Sequence, residues 1–262
     1  MKIFIVLCSI LLGLVVALGV LLFIFQRALI YPAPTLTVPT TLPAGVEKIQ
    51  LENSYGYMIQ GAGRTTIKKP VLVFTHGNGE IAYLWLDAFS ELLGEGISVF
   101  LVEYPGYGGA QGKPSYLTIR NTMLSAYDVL SKREDVDASR LIAYGRSIGG
   151  GAATLLAKER PLAAIGLESS FTSLAALIAE KGYPKFLLRD RYDNISILKE
   201  VELPVFLTHG KNDAIIPVSH SETMHATLNR STLITKPCHH NNCPRPWLEL
   251  IDFLKQHQII RP

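Results

Sequence analysis

Short apolar runs that alternate with amphipathic stretches constrain the fold of this chain more than any other feature of its sequence. Runs such as Val71–Phe74 are apolar at every position, which is typical of strands covered on both faces of a sheet. From Val71 onward, strand and helix patterns alternate, and this predicts an α/β domain with a mostly parallel eight-stranded sheet flanked by helices. The first two strands have no helix between them and should form an antiparallel start. The predicted strands are Glu47–Leu51, Tyr57–Gly61, Val71–Thr75, Ser98–Glu103, Leu141–Tyr144, Ala164–Glu168, Val205–His209 and Ser231–Ile234. The predicted helices are Ile81–Leu93, Leu117–Lys132, Ile148–Glu159, Ser219–Leu228 and Pro246–His257.

The N-terminal part of the chain predicts a membrane anchor. Ile3–Phe25 contains no charged residue and is rich in Leu, Val, Ile and Phe. A helix of this length crosses a hydrocarbon core about 30 Å thick, whereas a cleaved signal peptide needs a shorter apolar core and a small-residue cleavage site. The sequence therefore predicts an anchor (1–27), an extended linker (28–45) that lifts the rest off the bilayer, and one globular domain (46–262). A net charge of +3 without a Lys/Arg cluster argues against nucleic acid as a partner.

One strand-to-helix turn carries a Gly-x-Ser-x-Gly motif, from Gly145 to Gly149 with Ser147 at its centre. A serine in such an elbow has a strained backbone, and side chains two residues away on either side would collide, so glycines are needed there. The start of the following helix offers free N–H groups to a developing negative charge. The same residues also fit a glycine-rich turn with a serine that caps the helix, but the flanking strand and helix favour Ser147 as a nucleophile.

An acid and a histidine should follow the serine in that order. Asp213 lies in the turn after a strand and is the predicted acid, with Glu168 at the end of another strand as its rival. His239 and His240 both follow the last predicted strand, where the base should emerge, and the residues alone do not choose between them.

The glycine turn after Val71–Thr75 predicts an oxyanion hole. It can aim the backbone N–H of Asn78 at the same point as the N–H of Ile148, which follows the serine. Two such donors would stabilise a tetrahedral oxyanion, each by about 3–4 kcal/mol.

Together these motifs resemble a group within the α/β-hydrolase superfamily that includes membrane-associated lysophospholipases, monoacylglycerol lipases, protein depalmitoylases and bacterial anchored relatives. Members of this group usually carry Gly-His-Asn-Asp around the base. That pattern aligns with His239–Asn242, which assigns the base to His240 and leaves His239 in place of the glycine. In the same pattern Glu168 is structural. The matching segments, from Gln26 to the C-terminus, are His76-Gly-Asn, Tyr104-Pro-Gly-Tyr-Gly, Gly112-Lys-Pro-Ser, Gly145-Arg-Ser-Ile-Gly, Glu168-Ser-Ser-Phe-Thr-Ser, Tyr192-Asp-Asn and His209-Gly-x-x-Asp213 with Pro217.

The resemblance implies the α/β-hydrolase fold and a serine hydrolase with Ser147, Asp213 and His240 as its catalytic triad, without a metal or an organic cofactor. Such an enzyme cleaves carboxylic esters or thioesters through an acyl-enzyme. The anchor favours lipid-like acyl substrates. A serine peptidase or amidase with the same triad is the alternative, and a non-catalytic protein is disfavoured because no triad residue is missing.

The short segment Glu168–Asn194 predicts a small lid, in which Asp190 is expected to be solvated. Its apolar residues either line an acyl groove or pack a lid helix. They are Phe171, Leu174, Leu177, Phe186 and Leu187.

Cys238 and Cys243 bracket the two histidines. A small disulfide is favoured over a zinc site, because there is no second cysteine pair and zinc would occupy the base; reduced thiols are the third alternative. Lys2 and Arg27 flank the apolar run almost symmetrically, so charge does not orient it. The prediction of a single-pass protein with its domain on the exported side therefore rests mainly on this cysteine pair.

Overall fold

A computed structural model describes residues 1–36, 38–64 and 67–261. The strands are β1 (Val46–Leu51), β2 (Ser54–Ile59), β3 (Lys69–Thr75), β4 (Ser98–Val102), β5 (Val136–Arg146), β6 (Ala164–Glu168), β7 (Val205–Gly210) and β8 (Ser231–Lys236). The α-helices are α1 (Lys2–Ile30), α2 (Ser90–Gly94), α3 (Tyr116–Leu130), α4 (Gly149–Glu159), α5 (Leu174–Glu180), α6 (Asn194–Glu200), α7 (Ser219–Thr227) and α8 (Trp247–Gln256). Two 3₁₀ turns lie at Ala82–Trp85 and Lys185–Leu187.

Across the described ranges the eight strands form one sheet in the order β1-β2-β4-β3-β5-β6-β7-β8. β2 pairs antiparallel with β1 and β4, and every other neighbouring pair is parallel. The predicted α/β class, with a mostly parallel eight-stranded sheet and an antiparallel start, is therefore confirmed. The carboxyl ends of the parallel strands meet at one edge, where open α/β sheets place their functional residues.

Burial on both faces explains why the central strands are apolar at every position. In β5, Leu141 and Ala143 belong to a core formed with α3, α4 and α6, whereas Ile142 and Tyr144 belong to a second core formed with α2 and α8. Successive side chains of a strand point to opposite faces, so a strand covered on both sides must be apolar throughout.

The predicted helix Ile81–Leu93 is wrong, since the chain forms a 3₁₀ turn and then the separate short α2. The Ala82 N–H donates to Glu103 Oε2 (3.0 Å), and the Ala88 carbonyl accepts from the indole N–H of Trp247. The Trp247 indole thus takes the Ala88 carbonyl, which a continuous helix would pair with the Leu92 N–H, whereas the Ala82 N–H would lie in the first turn, where no intrahelical acceptor exists. The apolar periodicity of this segment therefore marks side chains that are buried, although the segment is not a regular helix.

The periodicity also missed α5 and α6, although both begin with a side-chain cap. Ser173 Oγ accepts from the Ala176 N–H, and Asp193 Oδ1 accepts from the Ser196 N–H. Such caps satisfy a free N–H of the first turn and mark helix starts in sequence. α5 and the 3₁₀ turn at Lys185–Leu187 belong to the lid segment (168–194), whereas α6 packs against α4 in the core.

α1 is long and apolar enough to span a membrane, and it is the one such helix in the described part of the chain. It continues through residues 28–30, where the linker was expected to begin, and the next residue, Tyr31, is buried. Asp190, expected to be solvated, is buried instead and paired with Arg27 of α1. The C-terminal end of α1 therefore packs against the globular domain, while the three-segment division stays a prediction.

Candidate active site

Ser147 lies in a sharp turn between β5 and α4, at the carboxyl edge of the sheet. Its φ of 55° is in the left-handed region, which non-glycine residues rarely adopt. A methyl group on Gly145 would run into the backbone of Gly149, and one on Gly149 would run into the carbonyl of Thr75. The glycines of the motif are therefore required by close backbone approach, and the turn presents the serine at the start of α4.

The structure brings the three predicted side chains together. His240 Nδ1–H donates to Asp213 Oδ2 over 2.6 Å, and the Ser147 hydroxyl donates to His240 Nε2 over 3.0 Å. All three residues are buried. Ser147 follows β5, Asp213 follows β7, and His240 follows β8, so three separate loops at one sheet edge converge on this point.

Asp213 is held as a carboxylate. Its Oδ1 accepts from the N–H groups of Ile215 and Ile216, both at 2.9 Å, and its Oδ2 also lies 3.3 Å from His209 Nε2. Burial alone would raise the pKa of Asp213, but the hydrogen bonds from His209, His240 and Ile216 outweigh burial and lower this pKa well below its usual range. A charged acid in contact with Nδ1 keeps Nε2 free to accept the serine proton.

The N–H groups of Asn78 and Ile148 are free of protein acceptors among the described residues. Both residues line the same cavity as Ser147. The neighbouring Gly77 N–H is bound by Glu80 Oε2 (3.0 Å), which fixes the turn that carries Asn78. These two positions match the predicted oxyanion hole, whose role stays a prediction.

His239 and Glu168, the rivals for base and acid, have other partners. His239 is exposed, and its Nδ1 lies 2.8 Å from the carbonyl of Asn212. Glu168 accepts from the Tyr144 hydroxyl (2.9 Å) and from Arg245 (2.6 Å). Among the described residues neither side chain is hydrogen-bonded to Ser147 Oγ, and Glu168 contacts Ser147 only through its backbone carbonyl, which accepts from the Ser147 N–H (2.8 Å).

A buried arginine at the variable position of the motif was not singled out from the sequence. Arg146 pairs with Glu80 and donates to the carbonyl of His240 (2.9 Å) and to Asn241 Oδ1 (2.7 Å). It therefore connects the elbow directly to the loop that carries the histidine. A charged residue immediately before the serine, on a strand otherwise buried, was the available signal.

Cys238 and Cys243 form a disulfide across the loop that contains His240. The bond removes both thiolates from the alternative zinc site. The described residues also contain no group of three or more His, Cys, Asp or Glu side chains arranged to hold a metal ion.

An apolar cavity of about 360 Å³ leads to Ser147. Four of the five predicted lid residues line it, whereas Phe186 points away and is 76% exposed. Residues of α1 complete the lining, a contribution that the sequence did not predict. The cavity is lined by Leu22, Gln26, Leu29, Ile30, Asn78, Ser147, Ile148, Phe171, Leu174, Leu177, Ile178, Tyr183, Pro184, Leu187, Leu188, Ile215 and Ile216.

Comparison with known proteins places this chain in a family. The family model described as serine aminopeptidase, S33, of the Hydrolase_4 family, matches residues 66–186. The uncharacterized protein Rv2307c of Mycobacterium tuberculosis is 35% identical over 221 residues, covering 80% of this chain and 78% of that protein. The α/β hydrolase domain-containing protein WAV2 of Arabidopsis thaliana is 30% identical, covering 82% of this chain and 79% of its own length.

Among solved structures, a bacterial membrane phospholipase A, described as a virulence factor, has a TM-score of 0.64 at 18% identity, covering 98% of this chain and 99% of its own. At that identity the likeness concerns the fold. The chain belongs to the α/β-hydrolase superfamily. Its family supports hydrolytic activity.

Proposed function

We propose that this protein is a serine hydrolase that cleaves carboxylic esters or thioesters of lipid-like acyl groups, with Ser147, Asp213 and His240 as its triad. The observation that carries the proposal is the continuous hydrogen-bond chain from Asp213 through His240 to Ser147 at the base of an apolar cavity. His240 lies within hydrogen-bond distance of both Ser147 and Asp213, as acyl transfer through a serine requires.

In the proposed reaction, His240 Nε2 takes the hydroxyl proton while Ser147 Oγ bonds to the acyl carbon. The oxyanion accepts hydrogen bonds from the N–H groups of Asn78 and Ile148. The bond to the leaving oxygen or sulfur then breaks, and that atom receives the proton from His240. Water, deprotonated by the same nitrogen, attacks the acyl-enzyme and releases the carboxylic acid as Ser147 regains its proton.

The cavity and the N-terminal helix support a lipid-like acyl group. Aliphatic and aromatic side chains dominate the lining, which suits an alkyl chain. We propose that α1 anchors the protein in a membrane as a single pass, which brings the site to bilayer substrates. The likeness over nearly the full length to a protein described as a membrane phospholipase A agrees with this assignment.

A serine peptidase or amidase is the second candidate, because the matching family model is described as a serine aminopeptidase. The two candidates share the triad and differ in the leaving group. Purified protein should hydrolyse acyl esters faster than aminoacyl amides. The reverse preference would replace the ester assignment with the peptidase one.

The test of the nucleophile is labelling with a fluorophosphonate probe, which traps an activated serine beside an oxyanion hole. The wild-type protein should label, whereas Ser147→Ala should not label and should lose roughly 10⁴–10⁶-fold in turnover. Ser170→Ala, at a buried serine that contacts the elbow through the Ser147 carbonyl, is the matched control and should still label. Labelling that persists in Ser147→Ala would refute the assignment.

A further inference from the structure

The C-terminal turns of α1 form one wall of the cavity that leads to Ser147. Leu22, Gln26, Leu29 and Ile30 line it together with the lid. Positions i, i+4, i+7 and i+8 share one face of a helix, so a single face of α1 is turned toward the site. A helix that served only as a tether would have no such face.

Specific polar contacts hold this face in place. Gln26 is buried and bridges the lid backbone, donating to the Leu187 carbonyl (3.0 Å) and accepting from the Arg189 N–H (2.7 Å). Arg27 forms a two-point ion pair with the buried Asp190, at 3.0 and 2.8 Å. These two adjacent residues fix α1 to the lid through an amide side chain and an ion pair, and this sets the position of the cavity wall.

The lid also contacts α1 on the N-terminal side of Gln26 and Arg27, within the apolar run Ile3–Phe25. Leu187 Cδ1 lies 3.8 Å from the place of a methyl on Gly19, and the Arg189 guanidinium lies 5.4 Å from the centre of the Phe23 ring. Gly19 is about 9 Å along the helix from Phe25, the last residue of the apolar run, at 1.5 Å per residue. That depth matches the 5–10 Å to which interfacial elements enter a leaflet. Phe186, exposed on the same segment, provides an apolar surface for such insertion.

We propose that α1 is a specificity-determining part of the substrate site and that the substrate is a lipid ester resident in the bilayer, whose acyl chain enters along the Leu22–Ile30 face. The proposal rests on the proposed function and on its membrane span. The cavity extends across the level where the apolar run ends, which is where the ester groups of bilayer lipids lie. A lipid reaches this level by lateral diffusion, whereas an acylated protein would have to bring its polar backbone under the lid.

The experiment uses the full chain in phosphatidylcholine vesicles and measures kcat/KM for p-nitrophenyl acetate and p-nitrophenyl laurate. Leu22→Trp fills the cavity from the helix side, and Leu21→Trp, on an exposed neighbouring position outside the cavity lining, is its matched control. Leu22→Trp should lower the laurate-to-acetate ratio by roughly tenfold, a loss in the range that filling an apolar pocket produces. Leu21→Trp should keep the wild-type ratio.

Leu29→Trp supplies a second variant, because Leu29 is 65% exposed at the mouth of the cavity and a larger side chain there does not disturb packing. It should lower the same ratio. An unchanged ratio in both cavity variants, or an equal fall in Leu21→Trp, would overturn the role of α1. A wild-type protein that neither labels with fluorophosphonate nor hydrolyses any ester would instead refute the proposed function.

The lipid source is tested with the wild-type protein on vesicles that contain monooleoylglycerol, against an S-palmitoylated peptide added to the same vesicles. Higher kcat/KM for the glycerolipid supports the proposal. Higher kcat/KM for the peptide would overturn the lipid assignment and leave an acyl-thioester substrate in its place.

Discussion

At the scale of single residues, the direction of a side chain distinguishes two adjacent histidines. His240 is buried between Asp213 and Ser147, whereas His239 is exposed and contacts the carbonyl of Asn212. Adjacent residues in a loop can point in opposite directions, so one position in the sequence separates the proposed base from a residue outside the triad.

His240→Ala should therefore lower kcat nearly as far as Ser147→Ala, while His239→Ala should keep substantial activity. Only the first substitution removes the group that accepts the serine proton. The measurement is steady-state hydrolysis of a short acyl ester by both variants. Greater loss in His239→Ala would move the base by one residue.

The lowered pKa of Asp213 makes the stability of the folded protein depend on pH. Its pKa is lower in the folded protein than in the unfolded chain, so below about pH 4 the unfolded state binds more protons. The stabilising contribution of the carboxylate is present above that pH and is lost as the pH falls toward the folded pKa.

Asp213→Asn should consequently show a free energy of unfolding that falls less steeply than that of the wild type from about pH 4 downward. Denaturant titrations at a series of acidic pH values measure this slope. Parallel curves for the two proteins would contradict it. The same variant should lose on the order of 10⁴-fold in kcat, because the amide favours the wrong imidazole tautomer.

At the scale of elements, local sequence motifs predicted the positions of the candidate site residues, whereas contacts between residues distant in sequence were not predicted. The proposed nucleophile, acid and base each follow a recognisable strand, and the sheet brings those strand ends together. Arg146 and Glu80 are 66 positions apart, and Arg27 and Asp190 are 163 positions apart, so nothing in the local pattern pairs them. In the segment Ile81–Leu93 the local pattern predicted a helix that does not form. Residues distant in sequence bind the backbone of this segment instead.

Arg146 should act as a positioning residue because it joins the elbow to the carbonyl of His240. Arg146→Met should lower kcat by roughly 10–100-fold with a small change in KM, because a misplacement of the reacting groups by about 1 Å can cost on the order of 100-fold. Arg146→Lys should restore only part of the rate, since a lysine lacks the planar fork that reaches both Glu80 and the base loop.

The control is Arg140→Met, which removes a partly exposed arginine from the same strand, where it pairs with Asp137. It should leave kcat near the wild-type value. Equal losses in the two methionine variants would show that Arg146 acts through general stability. A rise in KM alone would indicate that Arg146 shapes the substrate pocket.

At the scale of the whole molecule, α1, the lid and the candidate site form one packed unit. α1 contacts the lid through Gln26 and Arg27, and the lid covers the cavity that ends at Ser147. The sequence predicted the helix and the site separately. Their contact could not be predicted, because it depends on how the lid folds back over the sheet edge.

The prediction that the domain is exported rests on the redox state of its cysteines. Cys238 and Cys243 are joined in a disulfide, and such bonds persist in oxidising compartments. A ring this small contributes about 2 kcal/mol by the loop-entropy relation. Its larger effect is to hold the loop that places His240 against Ser147.

We expect the domain on the exported side, where protease added to intact cells should degrade it and alkylation of the native protein should leave Cys238 and Cys243 unmodified. Reduction should lower ester hydrolysis before it unfolds the domain, and the Cys238→Ser/Cys243→Ser double variant should show the lowered rate without a reductant. Cys8→Ser is the control, since its thiol lies in α1 away from the site, and it should keep the wild-type rate with or without reductant. A domain protected from protease, with Cys238 and Cys243 both freely alkylated, would place the site in the cytoplasm and reverse the prediction.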